Sequence, residues 1–151
     1  MILDNLLMMS DGQDLSTTVG GWASYNVIDL KGFDVTASQD APYGVDRDIG
    51  KGNYLPLLCQ VTETFASGGA ATLVVVLEVD DDVAFGSATP LYTSKTFALA
   101  ELVAGTLLLP QVIPFGSDKR YMRLVYTIGG ATTTAGRATC SIPTAIQSNS
   151  R

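Results

Sequence analysis

The sequence predicts an all-β fold, a single-domain jelly-roll β-sandwich of about eight strands across residues 1–151. Three observations point there. Apolar residues recur with a period of two in several segments, clusters of Gly, Asp, Pro and Ser separate those segments, and helical periodicity is nearly absent. Hydrophobic residues make up 46% of the chain against 16% charged, which excludes a disordered, charge-rich chain.

The elements follow in chain order. Segment 1–15 is apolar at Ile2, Leu3, Leu6 and Met8 and reads as a first strand with side chains to spare. Residues 24–30 form a weaker strand. Segment 31–53 holds Asp34, Asp40, Asp46, Asp48 and Pro42 with few apolar anchors, so it reads as a long loop, a kind of segment that is usually functional or disordered.

From 54 to 64 the pattern is clear. Leu55, Leu57, Cys59 and Val61 share one parity, with Gln60, Thr62 and Thr64 on the other, as in a half-buried strand. Pro56 sits near its start, where a missing donor is tolerated. Segment 71–79 is apolar on both parities, with Leu73, Val75, Leu77 and Val79 against Val74 and Val76. Such a strand is central, or its outer face is covered by something else. Asp80-Asp81-Asp82 stops it and reads as a solvated hairpin loop that repels edge pairing.

Segments 90–95 and 106–113 are weaker strands. Between them, residues 96–105 fit either one short helical turn capped by Gly105 or another strand. In 120–128, Met122, Leu124, Tyr126 and Ile128 alternate with Tyr121, Arg123, Val125 and Thr127. Segment 132–142 sets Ala138, Cys140 and Ile142 against Arg137, Thr139 and Ser141. The intervening Gly129-Gly130 predicts a hairpin between these last two strands.

Chemistry is scarce. The chain contains no histidine, which removes Ser-His-Asp and Cys-His catalysis and His-ligated metal centres. Gly50-Lys51-Gly52 lacks the continuation of a phosphate loop. Glu63, Glu78, Glu101 and the Asp80-Asp81-Asp82 run are the carboxylates open to acid–base work, but Glu63 and Glu78 fall on outward parities of neighbouring strands, which are ordinarily solvated. Asp80-Asp81-Asp82 lacks the spacing of a calcium loop. Cys59 and Cys140, each in the middle of an apolar segment, could face each other and form a bridge, but read first as reduced thiols acting as small core hydrophobes. The expectation is no catalytic residue, no metal, no cofactor and no disulfide holding the fold.

Nine basic residues against fifteen acidic, with the basic ones scattered, argue against nucleic acid as a partner. The N-terminus lacks the basic region of a signal peptide and no apolar run approaches ~20 residues. A protein made in the cytoplasm, without membrane contact, is expected.

An ordered series of phrases carries a family resemblance: Met1-Ile2-Leu3-Asp4, Asn26-Val27-Ile28-Asp29-Leu30, Arg47-Asp48-Ile49-Gly50-Lys51-Gly52 and Pro56-Leu57-Leu58-Cys59-Gln60-Val61. Asp81-Asp82-Val83-Ala84-Phe85, Ala98-Leu99-Ala100-Glu101-Leu102 with Gly105, Lys119-Arg120-Tyr121-Met122-Arg123-Leu124-Val125-Tyr126-Thr127 and Thr134-Ala135-Gly136-Arg137 continue it. In these phrases the chain resembles the capsid cement, or decoration, proteins of tailed bacteriophages of the Bordetella-phage type. Trp22 and residues 33–39 fall outside the series.

The resemblance implies a non-enzymatic structural protein of the virion with a jelly-roll fold. It would sit on the capsid exterior, bind the major capsid protein and form a homo-oligomer, a dimer in preference to a trimer. Docking surface is then sought at Ile2, Leu3, Leu6 and Met8, at Val74 and Val76, and in loop 31–53. The rival reading is a carbohydrate-binding jelly-roll module of a phage particle, which needs Trp22, Tyr43 or Tyr121 exposed and clustered. A carboxylate-only hydrolase, more distant, needs two converging carboxylates.

Overall fold

The computed structural model describes residues 7–30, 54–113 and 117–143. Among these residues are nine strands: β1 (Met8–Asp14), β2 (Gly20–Ala23), β3 (Ile28–Asp29), β4 (Leu58–Ser67), β5 (Thr72–Asp80), β6 (Thr89–Thr93), β7 (Phe97–Ala98), β8 (Tyr121–Gly129) and β9 (Thr133–Ser141). One antiparallel sheet has the order β1-β9-β4. The other runs β2-β8-β5-β6, with β3 also on β8 and β7 also on β5.

Segment 106–113 completes the first sheet as an irregular strand along β4. Leu108 donates its N–H to the Cys59 carbonyl at 2.8 Å and Ile113 to that of Leu55 at 3.0 Å; Leu57 donates in return to Gln111 at 3.0 Å. Pro56 and Pro110 bring no N–H, so the ladder is broken and only bridges Pro56–Val112 and Gln60–Leu107 form. With β2 and β3 taken as one interrupted strand, and β6 and β7, which follow each other along one edge of β5, as another, eight positions result. The first sheet then reads first, eighth, third, sixth, and the second reads second, seventh, fourth, fifth. That is the jelly-roll order.

Alternation explains the core. Leu73, Val75, Leu77 and Val79 of β5 and Met122, Leu124, Tyr126 and Ile128 of β8 face Cys59, Val61 and Phe65 of β4 and Ala138 and Cys140 of β9, all in one buried cluster. Each large apolar side chain so buried contributes about 1.5–3 kcal/mol. The ambiguous segment 96–105 holds both options: β7 pairs with β5, a 3₁₀ turn covers Leu99–Glu101, and Gly105 follows at positive φ.

Three expectations are corrected. Strands β8 and β9 do not form a hairpin, because they belong to opposite sheets. The same holds for β4 and β5, so Glu63 and Glu78 are not on neighbouring strands. Both connections instead arch across the sandwich at one end, and there they touch. Gly130 has φ +75° and a Cβ on it would meet the Ala70 carbonyl oxygen at 2.1 Å; one on Gly69 would meet Ala131 Cβ at 2.9 Å. Finally, the 24–30 strand shrinks to the short β3, and a separate strand, β2, precedes it at Gly20–Ala23.

Candidate interaction surfaces

With its inward parity filled, β5 turns Thr72, Val74, Val76 and Glu78 outward, all half-buried. Register builds the rest of that face. Val76 pairs with Val125 of β8 on one side and Thr93 of β6 on the other, and Val125 pairs with Ala23 of β2. In the next row Val74 pairs with Thr127, which pairs with Gly21. The outcome is a patch of small, uncharged side chains crossing the outer face of the second sheet.

A polar border closes the patch at the following row. Arg123 Nε donates to Glu78 Oε1 at 2.6 Å, and the Arg123 guanidinium lies 4.0 Å from the centre of the Phe85 ring. Phe85 reaches it from the loop after β5. Its φ of 56° and its N–H bond to the Asp82 carbonyl, 2.9 Å, turn the side chain back onto the sheet. Sequence pattern gave no sign of that return.

The Asp80-Asp81-Asp82 reading needs correcting at its first member. Asp80 is buried, not solvated. Its carboxylate accepts the N–H of Asp82 at 3.2 Å and that of Ser87 at 2.7 Å, bracing the loop from within. The Asp82 N–H is the main reason its pKa lies below the ordinary value. Asp81 pairs with Lys119 across the loop base.

The other sequence-selected residues are dispersed. Ile2, Leu3, Leu6, Tyr43 and loop 31–53 lie outside the described residues. Met8 is buried in β1, paired with Ser141 of β9. Glu63 binds Arg137 at 3.1 Å and Glu101 pairs with Lys95, so Glu63, Glu78 and Glu101 each engage a separate cation. Among the described residues no group of three His, Cys, Asp or Glu side chains is placed to hold a metal.

Trp22 is exposed and donates its indole N–H to the Thr18 carbonyl. Tyr121 carries the Arg120 guanidinium 5.0 Å from its ring centre. Trp22 pairs with Tyr126, five residues along β8 from Tyr121 and on the opposite parity, a rise of roughly 17 Å. These two aromatics share no groove. An open groove of about 510 Å³ does exist elsewhere, lined by Tyr92, Lys95, Phe97, Leu107 and Leu109.

A buried polar chain, invisible in the periodicity, fixes β1 to the second sheet. The Tyr126 hydroxyl bonds Ser10 Oγ at 3.0 Å, Ser10 donates to Gln13 Oε1 at 2.8 Å, and Gln13 Nε2 donates to the Ala23 carbonyl at 2.8 Å.

The Bbp16 family model matches residues 9–142, from within β1 to the end of β9. The chain belongs to the Bbp16 family. It is a family of Bordetella-phage proteins, and the phage resemblance of the ordered phrases is thereby shown. The Bbp16 match takes in the complete apolar patch and the Glu78–Arg123–Phe85 border. No curated protein matches the chain.

Proposed function

We propose that this phage protein is a structural component of the virion that binds the outer surface of the capsid and cements neighbouring major capsid protein subunits. It acts as a homo-oligomer, a dimer, and carries out no catalysis. The observation that carries this reading is the uncharged patch of Val74, Val76 and Val125, bordered by Glu78–Arg123 and carried on a rigid two-sheet body.

Cementing is mechanical: added contacts raise the barrier to separating capsomers, and a protein doing this needs one surface for its own copy and another for the lattice. The uncharged β5–β8 face suits an isologous contact between copies, since a two-fold axis sets the same patch against itself. The N-terminal segment, with Ile2, Leu3 and Leu6, and loop 31–53 are assigned to the major capsid protein, with Met8 in β1 as the anchor of that segment. A net charge of −6 suits a capsid exterior, away from packaged DNA.

The test uses capsids assembled without the protein. Adding it back is expected to give saturable binding and a higher capsid disruption temperature. A variant lacking residues 2–6, which leaves β1 whole, is expected to fold and to lose capsid binding. If the intact protein neither binds nor raises the disruption temperature, the cement reading is wrong.

A further inference from the structure

Cys59 of β4 and Cys140 of β9 stand directly opposite one another, both as free thiols with no exposed area. How near two such residues come depends on the kind of pair. Antiparallel pairs alternate between a close, non-hydrogen-bonded type with Cα atoms about 4.5 Å apart and a wider, hydrogen-bonded type at about 5.5 Å.

Two backbone bonds identify the type here. The Cys59 carbonyl accepts the Leu108 N–H at 2.8 Å, so the polar groups of Cys59 face segment 106–113 and turn away from β9. Ile142, two residues beyond Cys140 on the same parity, donates its N–H to the Leu7 carbonyl at 2.9 Å. That parity therefore faces β1 and turns away from β4. Seen from either strand, Cys59–Cys140 is the close pair. Its expected Cα separation lies within the span a disulfide bridges, about 4.4–6.8 Å. Burial, then the hydrogen bond with Cys59, pushes the Cys140 thiol up.

We propose that Cys59 and Cys140 form a cross-strand oxidation site, at which a small-molecule disulfide converts the two thiols into an intramolecular bridge joining β4 to β9. One cysteine gives up its proton, and its thiolate attacks a sulfur of the oxidant, forming a mixed disulfide and expelling one small thiolate. The second cysteine thiolate then attacks the protein sulfur of that mixed disulfide and expels the other. Both expelled thiolates take up a proton. The protein loses two hydrogens and two electrons, and the oxidant is reduced to two thiols. Thiolate is scarce at a buried pair, and access needs the sheet to open, so the reaction is slow in the native protein. Once made, the bridge closes a loop of roughly 80 residues in the unfolded chain and stabilises the fold.

The experiment incubates the purified, reduced protein with glutathione disulfide, with and without mild urea, and then unfolds it to count thiols and map peptides. The expected result is loss of both thiols, a Cys59–Cys140 peptide, and a melting temperature raised by roughly 10 °C that returns to its starting value with reductant. Cys59→Ala under the same treatment should show no such rise. Should that variant fail to fold, the wild-type peptide map and melts decide alone. Two thiols still present after prolonged treatment in urea, a bridge between chains, or a bridged protein that melts lower than the reduced one would each overturn the proposal.

Discussion

The ring of Phe65 in β4 lies against the α-carbon of Gly136 in β9, so closely that a Cβ at 136 would sit 2.5 Å from two ring carbons. Gly136 also has φ +141°, a conformation side chains rarely adopt. Its place in the Thr134-Ala135-Gly136-Arg137 phrase thus has a packing reason. Gly136→Ala is expected to cost about 3 kcal/mol in a denaturant titration, from strain and overpacking together. Gly68→Ala, with nothing within 4 Å, is the control and should be nearly neutral.

The polar chain from Tyr126 to Gln13 makes a second prediction. Tyr126→Phe removes one buried hydrogen bond and should lower stability by about 1 kcal/mol. Ser10→Ala should cost more, because it strands a buried hydroxyl and leaves the Gln13 carbonyl oxygen short of a donor. Equal effects in chemical denaturation would mean that this chain does not hold β1 in place.

Acid sensitivity should trace partly to Asp80. Its folded carboxyl is depressed below 3.8 by backbone N–H donors, chiefly that of Asp82. Its contribution is therefore fully present above the unfolded-state value near 3.8 and is lost as pH falls through the lower folded value. Asp80→Asn should lower stability at neutral pH and flatten this part of the acid limb in melts taken between neutral pH and strong acid. An unchanged acid limb would place the sensitivity elsewhere.

Self-association should depend on the β5 face. Val76→Lys sets a charge in the middle of the uncharged patch, while the lysine stem can lie along the sheet, so the fold should persist. Sedimentation velocity is expected to show the wild type as a dimer and the variant as a monomer, with Val74→Lys behaving alike. A monomeric wild type, or a folded lysine variant with unchanged assembly, would contradict the proposed interface.

Much of this protein was fixed by local pattern. Period-two alternation marked β4, β5, β8 and β9 and sorted their side chains into inner and outer sets, because the pleat sends successive residues to opposite faces whatever the partner strand. The doubly apolar character of β5 likewise flagged Val74 and Val76 before any neighbour was known. What alternation does not encode is which sheet a strand joins. A hairpin and an arch leave the same pattern on their flanking strands, and only the pairing of β9 with β4 and of β8 with β5 tells them apart. Tertiary structure alone therefore set β8 and β9 in opposite sheets, brought Cys140 opposite Cys59, and folded Phe85 back over Arg123. Each of these depends on residues far apart in the chain, whose meeting is decided by closing two sheets over one core.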